Sequence, residues 1–380
     1  MSSDITILIS TYCRYSFLLR LLKFYSSYEE QIKLVILDST PYEPTNDKLN
    51  KFFIKPNIIL KKYPEKISGL EKVADGLDCI KTEFSVLCAD DDFLIPHSLN
   101  KCVEFLKNNS DYLACDGIVC LHTNGYLARK NGFMMSRAYS KSCTLDDDTG
   151  VGRFTTAYIK NAVGSIPFFA VHRSETHRLI YNEAKKYVDY KVERGGYAEL
   201  FPCATSQIYG KYKFLPIFYS SREPNNAPFY FTENKEIYKE THSVDRTNNL
   251  IKGLSVQLSR VDGISLNDAE LVVKQFNPLP EISELDYMDE SEDKPAQNHN
   301  NNLSGLYHYL VSKAKVFKNK YPIINRLYRL LDPRKGCPID IYPEYYEDFL
   351  NVKNSVISAG LTYDQLNEAR TRIPTEFAEY

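Results

Sequence analysis

The chain is predicted to fold as an α/β domain with a mostly parallel sheet flanked by helices, and three observations predict it. Short apolar runs recur at Ile5–Ile9, Lys33–Leu37 and Phe84–Ala89, the pattern of strands buried on both faces. Segments with helical period alternate with them, most clearly Leu70, Val73, Ala74, Leu77 and Ile80, an i, i+3, i+4, i+7 stripe. Polar groups follow three of the runs: Ser10-Thr11, Asp38-Ser39 and Asp90-Asp91-Asp92. In an open parallel sheet ligands collect beyond the carboxyl ends of the strands.

The elements follow in order. Ile5–Ile9 is the first strand, and Ser16 stands where an N-cap is expected. Leu18, Leu21, Leu22 and Tyr25 continue with helical spacing. Lys33–Leu37 is a second strand, and Asn57–Leu60 a third. After the helix at 70–80 comes the strand that ends at the acidic triplet. Pro96 suits a first helical turn, and Leu99, Cys102, Val103 and Leu106 carry that helix on. Beyond residue 150 the pattern reads as helices over 154–163, 175–187 and 197–209, an extended segment over 166–171 and a strand over 213–220. Residues 281–302 turn acidic and then Asn-rich, as a surface loop or linker does. Residues 303–375 read as a small helical unit. The expected division is one domain over 1–245, in halves 1–120 and 121–245, a connecting segment over 246–302 and a helical region over 303–380.

Composition narrows the function classes. With 43% hydrophobic and 25% charged residues the chain is an ordinary globular one. A formal net charge of -2 lacks the basic balance of a nucleic-acid binder. The nine cysteines form no CxxC pair and no zinc spacing, which fits small buried thiols in a reducing compartment. His172 and His177 are five apart and do not match a helical zinc pair. The chain opens without a basic stretch leading into an apolar one, and no run approaches a membrane span. A cytoplasmic protein is the expectation.

The triplet Asp90-Asp91-Asp92 is where chemistry concentrates. Three adjacent carboxylates repel one another unless water or a cation intervenes. Hard oxygen ligands suit Mg2+ or Mn2+. A solvated acidic turn capping the next helix is the alternative.

Four segments, taken together in order, resemble the family 2 type of GT-A glycosyltransferases. Ile5-Thr6-Ile7-Leu8-Ile9-Ser10-Thr11-Tyr12-Cys13-Arg14 is similar to that family's opening strand and turn. Val35-Ile36-Leu37-Asp38-Ser39-Thr40 is similar to its second strand. Gly69 through Asp92 is similar to its helix, strand and DxD segment, and Phe93-Leu94-Ile95-Pro96 to the sequel. The resemblance covers residues 4–120 well and weakens over 150–225. It implies a GT-A fold and an inverting, metal-dependent transfer of a sugar from a nucleotide donor, UDP by default, with GDP, CDP and dTDP open. The acceptor it implies is a hydroxyl of a glycan or lipid-linked glycan, in bacterial surface polysaccharide synthesis.

The resemblance also implies roles for residues. Asp92 is the direct ligand of Mn2+ or Mg2+. Asp90 acts through water or the ribose, and Asp91 is solvated. Asp38 accepts a hydrogen bond from the base, and Thr11 and Arg14 lie near the base or phosphates. Arg222 contacts the diphosphate, and His242 supplies a third metal ligand from a late loop. An inverting transfer needs a carboxylate to take the acceptor's proton. Glu199, after Gly195-Gly196 and near a helix start, is the candidate, with Glu193 and Asp189 in reserve. The family's common Glu-Asp pair is missing there.

Over 311–331, Lys313, Lys315, Lys318, Lys320, Arg326 and Arg329 alternate with apolar residues around Pro322. A helix pair packed on the domain or on a second subunit is the preferred reading; a membrane-surface element is the other. Three rival functions stand. A nucleotidyltransferase of similar fold wants a Gly-rich loop after the first strand, and Ser10–Ser16 has no Gly. A magnesium-dependent phosphatase wants Asp-x-Asp after its first strand, and Asp38-Ser39-Thr40 supplies one Asp. A non-catalytic nucleotide-binding or assembly protein would keep the fold without turnover.

Overall fold

The computed structural model describes residues 4–28, 32–124, 133–138, 143–160, 167–188, 197–223, 244–276 and 343–359. His242, Asp189, Glu193, the acidic and Asn-rich stretch and the basic stretch 311–331 lie outside the described residues. Among those described, no helix is long and apolar enough to cross a membrane.

The expected α/β architecture is present. The chain runs β1 (Ile5–Thr11), α1 (Tyr15–Ser26), β2 (Lys33–Asp38), α2 (Asp47–Phe53), β3 (Ile58–Lys62), α3 (Gly69–Asp78), β4 (Phe84–Ala89), β5 (Phe93–Leu94), α4 (Pro96–Asn108), β6 (Tyr112–Asn124) and β7 (Phe133–Arg137). It continues through α5 (Gly150–Phe154), a π-helical segment (Thr155–Lys160), β8 (Val171–Arg173), α6 (Ser174–Tyr187), α7 (Tyr197–Tyr209) and β9 (Lys211–Arg222). The last described elements are α8 (Val244–Asp262), α9 (Leu266–Lys274) and α10 (Tyr346–Ala359).

One sheet takes the order β3-β2-β1-β4-β8-β6-β9-β5, with β7 paired to β6. The first four strands in that order are parallel. β8 then reverses direction, pairing antiparallel with both β4 and β6, while β6 and β9 are parallel. The reversal lets the second half of the chain extend the sheet from the β4 side.

Period-2 alternation sends the strand residues to two cores. Ile5, Ile7, Ile9, Leu34, Ile36, Phe84 and Val86 meet α1, α4 and α10 on one face. Leu8, Val35, Leu37 and Leu87 meet α3, α6, α7, α8 and α9 on the other. Both faces are covered, which is why the strands read as continuous apolar runs.

Several boundaries differ from the sequence reading. α1 starts at Tyr15, with Arg14 rather than Ser16 as its cap and no side-chain cap bond; the Arg14 side chain is drawn to aspartates instead. α2, a seven-residue helix capped by Asn46, went unforeseen. Residues 244–276, expected within a connecting segment, form two helices that bury Leu250, Leu254, Leu258, Ala269 and Val273 in the second core. The Asp262 carboxylate also accepts the backbone N–H groups of Gly150 and Val151, both at 2.7 Å. In the C-terminal region the described helix α10 packs on α1, burying Val352 and Val356, and the Tyr28 hydroxyl donates to Asp348 at 3.0 Å.

Two consequences are testable. A Cβ on Gly253 would stand 2.5 Å from Phe201 and 2.6 Å from Tyr187, inside the second core. Gly253→Ala is expected to destabilise the fold by about 1–3 kcal/mol through overpacking, read as a lowered denaturant midpoint. His172 and His177 stack at 4.3 Å, both buried. The His172 ring lies 2.9 Å from the Ala170 carbonyl and 3.0 Å from the Ser206 hydroxyl; His177 lies 2.9 Å from the Ser85 hydroxyl. Burial lowers His172 to about 4 and pushes His177 well down, with His172 adding to the effect. These rings are neutral in the fold and protonate in the unfolded chain. Their contribution is therefore full above the ordinary imidazole range and is lost as pH falls through it towards 4. His172 alone is worth about 3 kcal/mol by linkage. Unfolding titrations at pH 7 and pH 5 are expected to show the loss, and His172→Asn to reduce it.

Candidate functional site

β-sheet register builds the site. Thr11 stands opposite Asp38 on β2, and Asp38 opposite Lys62 on β3. Ser10 pairs with Ala89 on β4, so Asp90 follows beside Thr11. The carboxyl ends of four parallel strands thus present Lys62, Asp38, Thr11 and Asp90 in one row. At about 4.8 Å per strand the row spans roughly 14 Å.

The acidic triplet is not a solvated turn. Asp90, Asp91 and Asp92 are all buried, at 2%, 5% and 5% exposure, which corrects the expectation for Asp91. Thr11 Oγ1 donates to Asp90 at 2.7 Å. Arg14 bridges Asp90 at 3.1 Å and Asp91 at 2.5 Å, its guanidinium 4.4 Å from the Phe17 ring. Arg222 Nε donates to Asp92 Oδ2 at 2.9 Å, and the Glu223 backbone N–H donates to Asp92 Oδ1 at 3.1 Å. Thr11, Arg14, Arg222 and the three aspartates are therefore one cluster, assembled from β1, the β4 end and the β9 end.

The electrostatics show crowded negative charge. Burial pushes the Asp90 carboxyl up to about 6 against the pull of Arg14, and Asp91 adds to the push. Burial and then Asp91 push Asp92 up to about 7, opposed by Arg222 and the Glu223 N–H. Burial would weaken the charge on Arg14, but Asp90 and Asp91 outweigh it and raise its pKa.

Asp38 is fully buried. Its Oδ1 accepts the Thr40 N–H at 2.8 Å and its Oδ2 the Tyr15 hydroxyl at 2.8 Å, with Lys62 Nζ at 3.1 Å. Contact between Asp38 and a ligand therefore requires those partners to shift; Tyr15 and Lys62 are its outer neighbours. Lys72, buried on α3, donates to the Thr11 carbonyl at 3.2 Å and to Ser39 at 3.0 Å, tying the ends of β1 and β2. Cys13 follows with φ 53°, a left-handed conformation uncommon outside glycine. Its N–H donates to Thr40 at 2.9 Å, which holds the strained turn over the strand ends.

Glu199 lies in the first turn of α7. Its side chain is exposed, yet packed protein atoms push its carboxyl up, against the opposing pull of Arg222. The Arg222 guanidinium, bonded to Asp92, is 4.7 Å from the Phe169 ring.

Sequence reasoning missed Tyr15, Arg20, Lys62, Lys72 and Glu223. Arg20 and Lys72 did leave a signal: each is a cation inside an apolar helical stripe. Among the described residues no group of three or more His, Cys, Asp or Glu is arranged to hold a metal ion.

No family model and no curated protein matches the chain. Among solved structures, the chain is similar to the crystal structure of S. aureus TarS 1-349, at 12% identity and TM-score 0.46, over 72% of this chain and 70% of that one. For the same protein in complex with UDP-GlcNAc the values are 12%, 0.47, 72% and 71%. For its complex with UDP they are 12%, 0.41, 78% and 94%.

Proposed function

We propose that the chain is a nucleotide-sugar glycosyltransferase, inverting and metal-dependent, with a UDP-sugar as donor and a glycan or lipid-linked glycan hydroxyl as acceptor. The observation that carries the reading is the convergence at one sheet edge of the buried triplet, two arginines and the row Thr11, Asp38 and Lys62. A nucleoside diphosphate needs cations for its phosphates and polar partners for its base, and this edge carries both kinds of group.

Asp90 and Asp92 fit a divalent cation. They are hard oxygen donors whose pKa values are raised by burial, with the charge of Asp91 adding to it. Mg2+ and ions like it are held by one or two carboxylates with substrate phosphates and water completing the shell, so no third protein ligand is required. Bound there, the metal would stabilise the charge that develops on the leaving diphosphate.

The chain's own residues supply the rest. Arg14 and Arg222, now paired with aspartates, are placed to turn to the phosphates when a diphosphate enters. Lys62 and Tyr15 meet the base side of the row. Glu199 takes the acceptor's proton while the sugar carbon is attacked from the face opposite the diphosphate. The catalytic unit comprises the expected domain over 1–245, buttressed by α8 and α9.

Calorimetric titration with UDP, GDP, CDP and dTDP, each with Mn2+ and with EDTA, tests this reading. Binding of one nucleotide, UDP by expectation, that EDTA weakens at least tenfold is the expected result. Nucleotide binding without transfer to any acceptor would favour the non-catalytic rival, and no binding of any nucleotide would sink the donor site.

A further inference from the structure

We infer that Arg20 and Glu223 are positioning residues that hold the Asp91–Asp92 turn in its ligand-binding shape; the inference rests on the donor-site reading and deepens it. Arg20 stands on α1 among the buried Phe17, Leu18, Leu21 and Leu22. Its side chain is 2% exposed, and that of its partner Glu223 7%. A buried ion pair is an inefficient source of stability, since apolar residues of similar volume often do as well. What the pair touches accounts for it better.

Arg20 Nη1 donates to Glu223 Oε2 at 2.8 Å, and Nη2 donates to the Asp91 backbone carbonyl at 2.8 Å. The Glu223 backbone N–H donates to Asp92 Oδ1 at 3.1 Å. Asp91 and Asp92 are neighbours in the chain, so the bonds close a ring through α1, the turn after β4 and the end of β9. The Arg20 guanidinium is fixed by the Phe17 and Phe93 rings, at 4.9 and 5.1 Å. His122 stands 3.6 Å from Glu223 and 2.9 Å from the Ser221 hydroxyl. These two Arg20 bonds go to Glu223 and to the Asp91 backbone, not to an aspartate carboxylate. The ring thus sets where the carboxylates sit while placing no cation on either: the Glu223 group that bonds Asp92 Oδ1 is a neutral backbone N–H. Adjacent carboxylates repel, and a ligand site must be held to roughly 0.5 Å; a turn tied at the Asp91 backbone from one side and at the Asp92 carboxylate from the other meets that need.

The test compares wild type with Arg20→Met, Glu223→Gln and the pair Arg20→Met with Glu223→Leu. Three readouts are taken: amide hydrogen exchange over residues 89–93, the Tm, and UDP affinity with Mn2+ and with EDTA. Each single variant is expected to speed exchange in the turn at least tenfold and to weaken Mn2+-dependent UDP affinity tenfold or more. UDP affinity in EDTA should stay unchanged. The paired apolar variant should recover Tm but neither slow exchange nor metal-dependent affinity. If it recovers all three, or if the folded single variants exchange at the wild-type rate, the pair is only a stability element and the inference is overturned. Exchange is read without nucleotide, so a wild-type protein that binds no UDP sinks the donor-site reading while the ring is still judged.

Discussion

Asp92→Ala is expected to remove nearly all metal-dependent UDP affinity, by roughly a hundredfold or more, and to cut transfer by about a thousandfold, the scale of losing one preorganised electrostatic partner in a reaction site. Two features make the expectation sharp. Both oxygens of Asp92 are fixed, by Arg222 and the Glu223 N–H, so the carboxylate is placed before any ligand arrives. Its pKa is raised by burial and by Asp91, so the fold gains little from its charge and Tm should hold. The metal-free response has the opposite sign. Alanine deletes a negative charge beside the diphosphate, so UDP affinity in EDTA should be unchanged or tighter. Asp92→Asn separates charge from shape and should follow alanine with Mn2+. Retained metal-dependent binding and transfer in either variant would remove Asp92 from the metal site.

That contrast depends on pairings of very different sequence range, and the same difference governs what the sequence revealed. Strands β1, β2 and β4 were legible because burial on both faces writes them as apolar runs. The triplet, Asp38 and Thr11 were legible because they end those runs. α8 does carry a signal in the sequence: Leu250, Leu254 and Leu258 recur every four residues and are all buried. It was hidden by its position before an acidic, Asn-rich stretch that reads as a linker. Glu223 left no local signal at all. Its partner Arg20 is 203 residues away, and only the closing of β9 against β5 and β6 brings them together. The burial of Asp91 was misjudged for the same reason, since Arg14 and Arg20 reach it from α1 and its cap. Local pattern fixes which strand ends face a ligand, while the counter-charges that shape the site come from tertiary contacts.

Glu199→Gln is expected to separate chemistry from binding. A positioned general base contributes about 10²–10⁴ in rate, so transfer should fall by roughly that factor while Mn2+-dependent UDP affinity stays within about twofold, as befits a group outside the aspartate cluster. Glutamine keeps the size of the side chain and its hydrogen-bonding reach but cannot accept the acceptor's proton. The pH profile supplies a second check. Packed protein atoms around the exposed Glu199 side chain lift its carboxyl above the ordinary glutamate range, with Arg222 opposing. Protonated Glu199 cannot act as base, so kcat should fall on the acid side through that raised pKa, about tenfold per pH unit below it. The Gln variant should lose this limb and show a flat, low rate. Arg222→Gln removes the opposing charge and should move the limb to higher pH, a shift that a surface glutamate without a catalytic role would not transmit to kcat. A Gln variant that transfers at the wild-type rate with the acid limb intact would return the search for the base to the other carboxylates on the acceptor side.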